Sequence, residues 1–299
     1  MKTLRLNTSR AVLHATFLLL ASFGFLNQAK SQLFTGGIAG GMGGAGRAAV
    51  DGGEAIYLNP ASVAQLRSYY IGGHYQLGDH PREGNYSRYS LQVADGTPGN
   101  LIPGGFAYTR NSIELPAGAG WRTDTDYQTA VGAQVSQNLA LGVSAHYLKQ
   151  TGQNREDEQI NGGLGVLFSP LESLGFAFVG YDIAPINRTA SVDRRVIPTF
   201  AAGVHYLLPE ILSLRLDLVR PDVQARNDYR TNVMTGFESY FHPQFAFRLG
   251  GQWLETVDQM NLTAGLGFKG PRLSVDYTFQ KDIRSGMGVR HLIDLWMPL

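Results

Sequence analysis

The sequence contains no cysteine and few charged residues, and each of these shortages excludes or disfavours certain classes of protein. Asp, Glu, Lys and Arg make up 16% of its 299 residues, against roughly 25% in soluble domains. The absence of Cys excludes disulfide scaffolds, thiolate zinc sites and cysteine nucleophiles. The low charge disfavours a coiled coil, a charge-rich disordered chain and a polyanion-binding protein, so no nucleic acid partner is expected.

Long apolar runs are also missing, which disfavours a bundle of membrane helices, since each would need about 20 consecutive apolar residues. Glycine, in contrast, is abundant, with 37 residues, well above the usual ~7%. The apolar residues are dispersed along the chain, and this distribution favours a β-rich protein.

The first 31 residues have the layout of an export signal. Basic residues precede an apolar stretch from Ala15 to Leu26, and Ala29-Lys30-Ser31 fits a small-x-small cleavage site. The apolar stretch is too short to cross a hydrocarbon core of about 30 Å, which makes a membrane anchor the weaker interpretation. We therefore predict a signal peptide over 1–31 and a mature chain that begins at Gln32.

From Ser68 onward, segments of about ten residues alternate large apolar side chains with small or polar ones. In Leu212–Leu218, four leucines alternate with Ser213, Arg215 and Asp217. A period of two predicts strands that have one face in an apolar medium. Because the opposite face is mostly Gly, Ala, Ser and Thr, it suits a lumen, and the large residues should face lipid.

Fourteen such segments can be counted, and an even number is typical of a bacterial outer-membrane barrel. Short connections also alternate with longer ones at 111–125, 151–158, 182–195 and 220–230, with 95–102 as an exception. A soluble β-sandwich would not be expected to alternate in this way. We predict an all-β fold, a transmembrane antiparallel β-barrel of about 14 strands over 68–299, with a count of 12 left open. The predicted strands begin near Tyr69, Ser87, Gly104, Asp126, Leu139, Gln159, Leu174, Val196, Leu212, Thr231, Gln244, Asn261, Arg272 and Val289.

Aromatic residues toward the predicted strand ends suit the belts that such barrels place at both membrane–water interfaces. The alternative is ordinary packing of aromatic side chains within a core. The residues predicted to form the belts are Tyr75, Tyr89, Tyr108, Tyr127, Tyr147, Tyr206, Phe241, Trp253, Phe279 and Trp296.

Between the signal and the first strand lies a glycine-rich segment, 32–67, of different composition. Gly41–Gly46 matches the G-x-G-x-x-G dinucleotide fingerprint, but no preceding strand and no βαβ unit accompany it. Small residues let a backbone pass close to a barrel wall. We therefore predict that 32–67 is a plug, or hatch, inside the lumen.

The run from Gly43 to Leu66 resembles the N-terminal signature of the FadL/PorV group of outer-membrane proteins, with Ser62 where the family usually has Gly. The resemblance implies a hatch within a 14-stranded barrel. It places the hatch or gating motif at Asp51, Tyr57, Asn59, Pro60 and Ala61. On the residues alone, Asn59-Pro60-Ala61 reads as a fixed turn, with a purely structural role and a gating role both open.

No catalytic constellation and no cofactor or metal site is predicted, because His74, His146 and His205 lie on strands that are not neighbours. Polar residues of the lumen are predicted instead, either as pairs that join opposite walls or as a lining that selects solutes. These lumen charges are Arg215, Asp217, Glu238, Arg248 and Asp276, with Lys269 and Asp294 beside them.

The predicted function is a passive channel or transporter, not an enzyme, for small molecules, hydrophobic ones among them. The predicted location is the outer membrane of a Gram-negative bacterium, with membrane lipid as the surrounding partner. The alternative is a non-transporting barrel with a plugged lumen, either structural or a PorV-like accessory to secretion. Self-association and a secretion partner stay open under that alternative.

Overall fold

The computed structural model describes residues 35–299 except 50, 81–83, 116–119, 153–154, 187–189, 191–193, 223–229 and 287. Two short helices, α1 and α2, and a 3-10 helix precede fourteen strands, and a second 3-10 helix, Glu255–Val257, lies between β11 and β12. The first elements are α1 (Gly37–Gly41), α2 (Ala55–Leu58) and the 3-10 helix Pro60–Gln65. The strands are β1 (Tyr69–His80), β2 (Gly84–Asp95), β3 (Gly104–Glu114), β4 (Trp121–Ser136), β5 (Leu139–Gly152), β6 (Arg155–Leu171), β7 (Leu174–Tyr181), β8 (Thr199–Leu208), β9 (Leu212–Pro221), β10 (Asn232–His242), β11 (Phe245–Leu254), β12 (Gln259–Lys269), β13 (Ser274–Asp282) and β14 (Val289–Pro298).

The fourteen strands form one closed antiparallel barrel, in which β1 pairs with β14 from Tyr70↔Pro298 to Asp79↔Val289. Closure leaves no free sheet edge, which a membrane-spanning sheet requires. The predicted fold class and strand count are therefore confirmed. We call the end where β1 begins and β14 finishes the terminal end, and the opposite end the loop end.

Side chains alternate between the two faces of the wall as the period of two predicts. Leu214, Leu216 and Leu218 point outward and are 43–45% exposed, whereas Arg215 and Asp217 point inward and are buried. A soluble barrel would have the opposite arrangement, with large apolar residues inside. The outer surface therefore matches a lipid environment.

A row of tyrosines crosses the outer face of β2, β3, β4 and β5. The ring centroids of Tyr89, Tyr108, Tyr127 and Tyr147 are successively 5.9, 5.2 and 6.2 Å apart. Toward the loop end of this row, outward positions other than Trp121 are largely polar, and Lys149 Nζ lies 2.6 Å from Glu156 Oε1. The row thus marks the level at which the wall passes from lipid to water, as expected of an aromatic belt.

Two predicted loops are strand instead. The strands β5 and β6 pair to the end, at Gly152↔Arg155, so most of 151–158 is wall, and β4 already begins at Trp121 within the predicted loop 111–125. The sequence pattern failed here because these strands extend beyond the lipid, where both faces are polar and the apolar period is lost. The long connection predicted at 182–195 falls between the end of β7 at Tyr181 and the start of β8 at Thr199.

The described part of the N-terminal segment lies inside the barrel. The helix α1 contacts β11–β14, while the 3-10 helix Pro60–Gln65 contacts β3–β6 across the lumen. Among the described residues, no helix is long and apolar enough to span a bilayer. We call residues 35–66 the plug.

Candidate functional site

The candidate site is the contact surface between the plug and the inner wall. At its centre, Asn59 begins the 3-10 helix: its Oδ1 accepts the Ala61 N–H at 3.0 Å, and Pro60 occupies the first turn. The Asn59 amide also donates to Arg47 O at 3.0 Å and to Val166 O at 3.2 Å. Asn59 therefore ties together two parts of the plug and strand β6, and it is fully buried.

Three glycines form the surface on which this turn lies. Gly132, Gly142 and Gly165 face one another across β4, β5 and β6. A Cβ on Gly142 would lie 2.3 Å from Ala61 N, and one on Gly165 would lie 2.2 Å from Asn59 Oδ1. Only glycine lets the two backbones approach this closely. A second pair, Gly236↔Gly250, contacts Met42 and Gly43 in the same way.

Two ion pairs join the plug to β9, one fully buried and one partly buried. Arg47 Nη1 lies 2.8 Å from Asp217 Oδ2, which also accepts the Gly46 N–H at 2.8 Å. Arg215 binds both oxygens of Asp51. The lumen charges Arg215 and Asp217 therefore bind the plug, and the expectation that lumen charges join opposite walls is wrong for them.

Glu54 is the residue before α2 in the chain, and its buried carboxyl group lies against the first residues of α1. Its oxygens accept the N–H groups of Ile38 and Ala39 at 2.9–3.2 Å, and Asp294 of β14 accepts the Gly37 N–H at 2.5 Å. Burial and the nearby Asp294 raise the pKa of the Glu54 carboxyl well above its ordinary value. On its other side, Asp294 contacts His74 Nδ1.

The remaining lumen charges form a triad on the wall. Arg248 lies between Glu238, with Nε at 2.5 Å from Oε2, and Asp276, with Nη1 at 2.6 Å from Oδ1. Glu238 faces Arg248 directly in the ladder between β10 and β11. A bulge at the turn of this hairpin sets His242 opposite Phe245, and the rings of Phe241 and Phe245 stack at 5.9 Å.

Tyr57, on α2, reaches the wall at β2 and β3, apart from the triad. Its hydroxyl lies 2.6 Å from Ser90 Oγ and 3.1 Å from Thr109 Oγ1. The surrounding side chains are apolar and include Ile56 and Val63. Burial raises the pKa of the Tyr57 hydroxyl, which therefore stays protonated at neutral pH. The structure thus places all five residues of the sequence motif in plug contacts, spread over several strands.

The three inward histidines have separate partners. His74 contacts Asp294, His205 Nε2 lies 3.0 Å from Ser213 Oγ, and His146 lies between Asp126 at 3.0 Å and Asp182 at 2.5 Å. Among the described residues, no group of three or more His, Asp or Glu side chains is arranged to hold a metal ion.

Sequence reasoning missed Arg47, Glu54 and the glycines of the wall as plug contacts. Trp296 was also misassigned, because it points inward and is buried, rather than lying in the outer belt. A signal did exist: Leu292, Asp294 and Trp296 share the inner face of β14. Two large apolar residues on a lumen face indicate that something apolar or glycine-rich lies against them.

No protein-family model and no curated protein sequence matches the chain. Its fold, however, is similar to that of solved outer-membrane barrels. The CymD monoaromatic hydrocarbon channel superposes with a TM-score of 0.71 at 14% identity, over 91% of this chain and 99% of that one. The toluene transporter TbuX of Ralstonia pickettii gives 0.68 at 13%, over 90% and 99%. A Pseudomonas aeruginosa FadL homologue gives 0.61 at 12%, over 88% and 97%. The chain has the FadL-like barrel fold that its sequence motif implies.

Proposed function

We propose that the protein is a passive channel for small molecules, hydrophobic ones among them, in the outer membrane of a Gram-negative bacterium. The observation that carries this proposal is the plug, which fills the lumen without belonging to the wall. A segment held by side-chain contacts can be displaced while the barrel stays closed. In the proposed cycle, Asp51, Tyr57 and Asn59-Pro60-Ala61 hold the plug and release it for passage.

Several features support this assignment. The printed names of the similar structures describe hydrocarbon channels and a toluene transporter, and fold similarity at this identity is an analogy for function. The outer surface suits lipid, and export would use residues 1–31 as a signal peptide, with 32–67 as the complete plug segment. In this proposal the protein performs transport and no enzymatic chemistry.

One observation favours the alternative of a permanently plugged structural or accessory barrel, whether it self-associates or serves a secretion partner. The Arg47–Asp217 pair between plug and wall is fully buried, at 0% and 1% side-chain exposure. A buried pair is costly to separate, because each charge would be left without its partner. Channel function therefore requires that solute or a small rearrangement supply this free energy.

A disulfide lock separates the two functions. An ideal Cβ on Gly132 lies 3.0 Å from Ala64 Cβ, closer than the disulfide separation of about 3.8 Å, so the turn has to move back by about 0.8 Å for the bond to form. The natural chain has no cysteine, so Ala64→Cys with Gly132→Cys can be oxidised and reduced without a background reaction. If the protein is a channel, solute flux into proteoliposomes falls on oxidation and recovers on reduction. Each single variant under the same oxidant is the control.

Deletion of residues 34–53 tests the same proposal from the opposite direction. A channel closed by the plug gains conductance in planar bilayers, while heat-modifiability on gels verifies that the barrel is folded. Flux that neither the lock nor the deletion changes would contradict the channel and support the structural barrel.

A further inference from the structure

One connection at the terminal end of the barrel is unlike the others there. The other hairpins at this end have short turns, at 137–138, 172–173, 209–211, 243–244 and 270–273, whereas β2 and β3 are joined by 96–103. This connection contains no charged residue, and it places Leu101 and Ile102 side by side. We call residues 96–103 the β2–β3 loop.

The two large apolar residues of the β2–β3 loop are exposed. Leu101 is 96% exposed and Ile102 67%, and no large apolar residue elsewhere in the described part of the chain is more exposed than Leu101. Single exposed apolar side chains are common on protein surfaces and need no explanation. Two adjacent ones that extend an existing apolar surface indicate that something binds there.

Hydrogen bonds within the β2–β3 loop hold its backbone in one conformation. The Thr97 N–H donates to Asp95 Oδ1, and the Asn100 N–H donates to Thr97 O, each at 2.9 Å. The Ile102 N–H donates to Asn100 Oδ1 at 3.1 Å. Positions 98 and 103 are proline and have no N–H to satisfy. Most backbone donors of the loop therefore have partners or do not exist, which favours contact with an apolar medium.

The pairing of β3 with β4 continues into the loop. Gly104 faces Val131, and the next N–H along β4, that of Gly132, donates to Pro103 O at 2.9 Å. Because side chains alternate along a ladder, Ile102 shares the outward face with Gly104 and Val131. Ile102 therefore extends the lipid-facing surface of the wall past the end of β3.

This continuity favours lipid, rather than a protein, as the partner of the loop. The loop contains no Trp, Tyr or Arg, the residues that dominate hot spots between proteins. Its apolar side chains are aliphatic and adjoin a wall that already contacts acyl chains, so the adjoining leaflet can remove them from water. Outer-membrane barrels have their short turns on the periplasmic side, which identifies this leaflet as the periplasmic one.

We propose that the β2–β3 loop inserts Leu101 and Ile102 into the periplasmic leaflet of the outer membrane and is a lipid-binding anchor of the terminal end. The proposal needs a barrel that spans a bilayer and does not depend on the channel function. The loop also adjoins the last residue of the plug, since an added Cβ on Gly96 would lie 2.4 Å from Leu66 Cβ. The anchored backbone is therefore the surface against which the plug ends.

Fluorescence quenching by brominated lipid tests the insertion. The natural chain has no cysteine, so Leu101→Cys introduces a unique site for a bimane label in protein reconstituted into phosphatidylcholine vesicles. Val143→Cys, on the outward face of β5 and 54% exposed, is the reference for lipid contact. Gln137→Cys, in the turn between β4 and β5 at the same end, is the reference for water. Heat-modifiability verifies that each labelled protein is folded.

Phosphatidylcholine brominated near the headgroup end of its acyl chains should quench the label at 101 at least about twofold more than the label at 137. The reason is that an inserted side chain lies roughly 5–10 Å into the boundary between headgroups and acyl chains. Iodide dissolved in the water should quench the two labels in the reverse order. The label at 143 should follow the order seen for 101.

A second substitution shows whether the apolar residues of the loop cause the contact. In the labelled Leu101→Cys protein, Ile102→Asn should reduce quenching by the brominated lipid. Ile211→Asn is the matched control, because Ile211 is 63% exposed in another turn at the same end and should leave the quenching at 101 unchanged.

Two results would overturn the inference. In the first, brominated lipid quenches the label at 101 less than about twofold more than the label at 137, and the loop then lies in water, where its apolar residues would fit a periplasmic protein instead. In the second, Ile102→Asn and Ile211→Asn reduce the quenching equally, and the contact with lipid then does not depend on the loop. Plug-dependent flux enters neither result, so failure of the channel function leaves the anchor standing.

Discussion

At the residue scale, the outward leucines show how the depth of a position in the membrane sets its energetic importance. Leu216 lies in the middle of β9, whereas Leu208 ends β8 beside a turn, and both are exposed on the outer face. Leu216→Arg should destabilise the folded barrel by about 2–4 kcal/mol, and Leu208→Arg by no more than about 1 kcal/mol. Urea unfolding in phospholipid vesicles measures both, and equal costs would contradict the proposed position of the barrel in the bilayer.

Arg248 offers a second test at this scale, because one guanidinium pairs with two carboxyl groups, those of Glu238 and Asp276. Arg248→Gln leaves both acids without their cation and should cost roughly 3–5 kcal/mol of unfolding free energy. Glu238→Gln should cost less, because Asp276 still pairs with Arg248. In a double-mutant cycle the combined variant should be less destabilised than the sum of the two, whereas additive costs would show that the pair does not interact in the folded protein.

At the element scale, Gly132, Gly142 and Gly165 of β4–β6 form the surface against which the turn Asn59-Pro60-Ala61 of the plug packs. Gly142→Ala places a methyl group 2.3 Å from the plug backbone, so the turn has to move away while the wall itself can keep its ladder. We expect a folded barrel with increased open-channel current in planar bilayers. Gly73→Ala is the matched control, since its Cβ would meet no atom closer than 3.8 Å. Equal currents in the two variants would contradict the proposal that the plug turn packs against Gly142.

The sequence predicts a strand well where the strand is in contact with lipid, and poorly where it is not. Within the membrane, the contrast between lipid and lumen produces a strict period of two, which identified all fourteen strands. Beyond the membrane this contrast disappears, and the outer parts of β4, β5 and β6 could not be distinguished from loops. The bulge near Phe241 was also beyond reach, because it depends on the geometry of one turn rather than on a repeating pattern.

At the scale of the whole molecule, the free energy with which the plug binds inside the barrel should depend on pH, because Glu54 is titratable. Burial raises the pKa of this carboxyl, so the seated plug retains a proton that a released plug loses near pH 4.3. Binding of the plug inside the barrel should therefore weaken as the pH rises above that value. Asp51 does not produce this trend, because Arg215 outweighs burial and lowers its pKa, so its contribution is lost only in stronger acid.

The measurement is the fraction of open channels between pH 5 and pH 8 in planar bilayers. The natural protein should open more often at the higher pH, and Glu54→Gln, which cannot ionise, should show a smaller change. Histidines also titrate in this range, so the difference between the two proteins is the relevant quantity. An identical pH dependence in both would contradict the role of Glu54.

The candidate site could be predicted only in part, and the reason is distance along the chain. The sequence motif identified Asn59-Pro60-Ala61 and Asp51 because local turn chemistry and family resemblance are visible in a short run of residues. Their partners, such as Arg215 and Gly165, are more than 100 positions away and follow only from the barrel's closure. The sequence predicted which charged residues face the lumen, but it did not predict the partner of each one.

The seat of α1 has a consequence for the order of assembly. The helix belongs to the first part of the chain, yet its contacts are with β11–β14, the last strands to be synthesised. These surfaces exist only once the C-terminal strands have joined the sheet. Closing a loop of such length costs conformational entropy that the contacts of α1 repay only when these strands are in place. We therefore expect α1 to reach its binding surface after β11–β14 have formed, although the 3-10 helix Pro60–Gln65, which contacts β3–β6, can bind earlier.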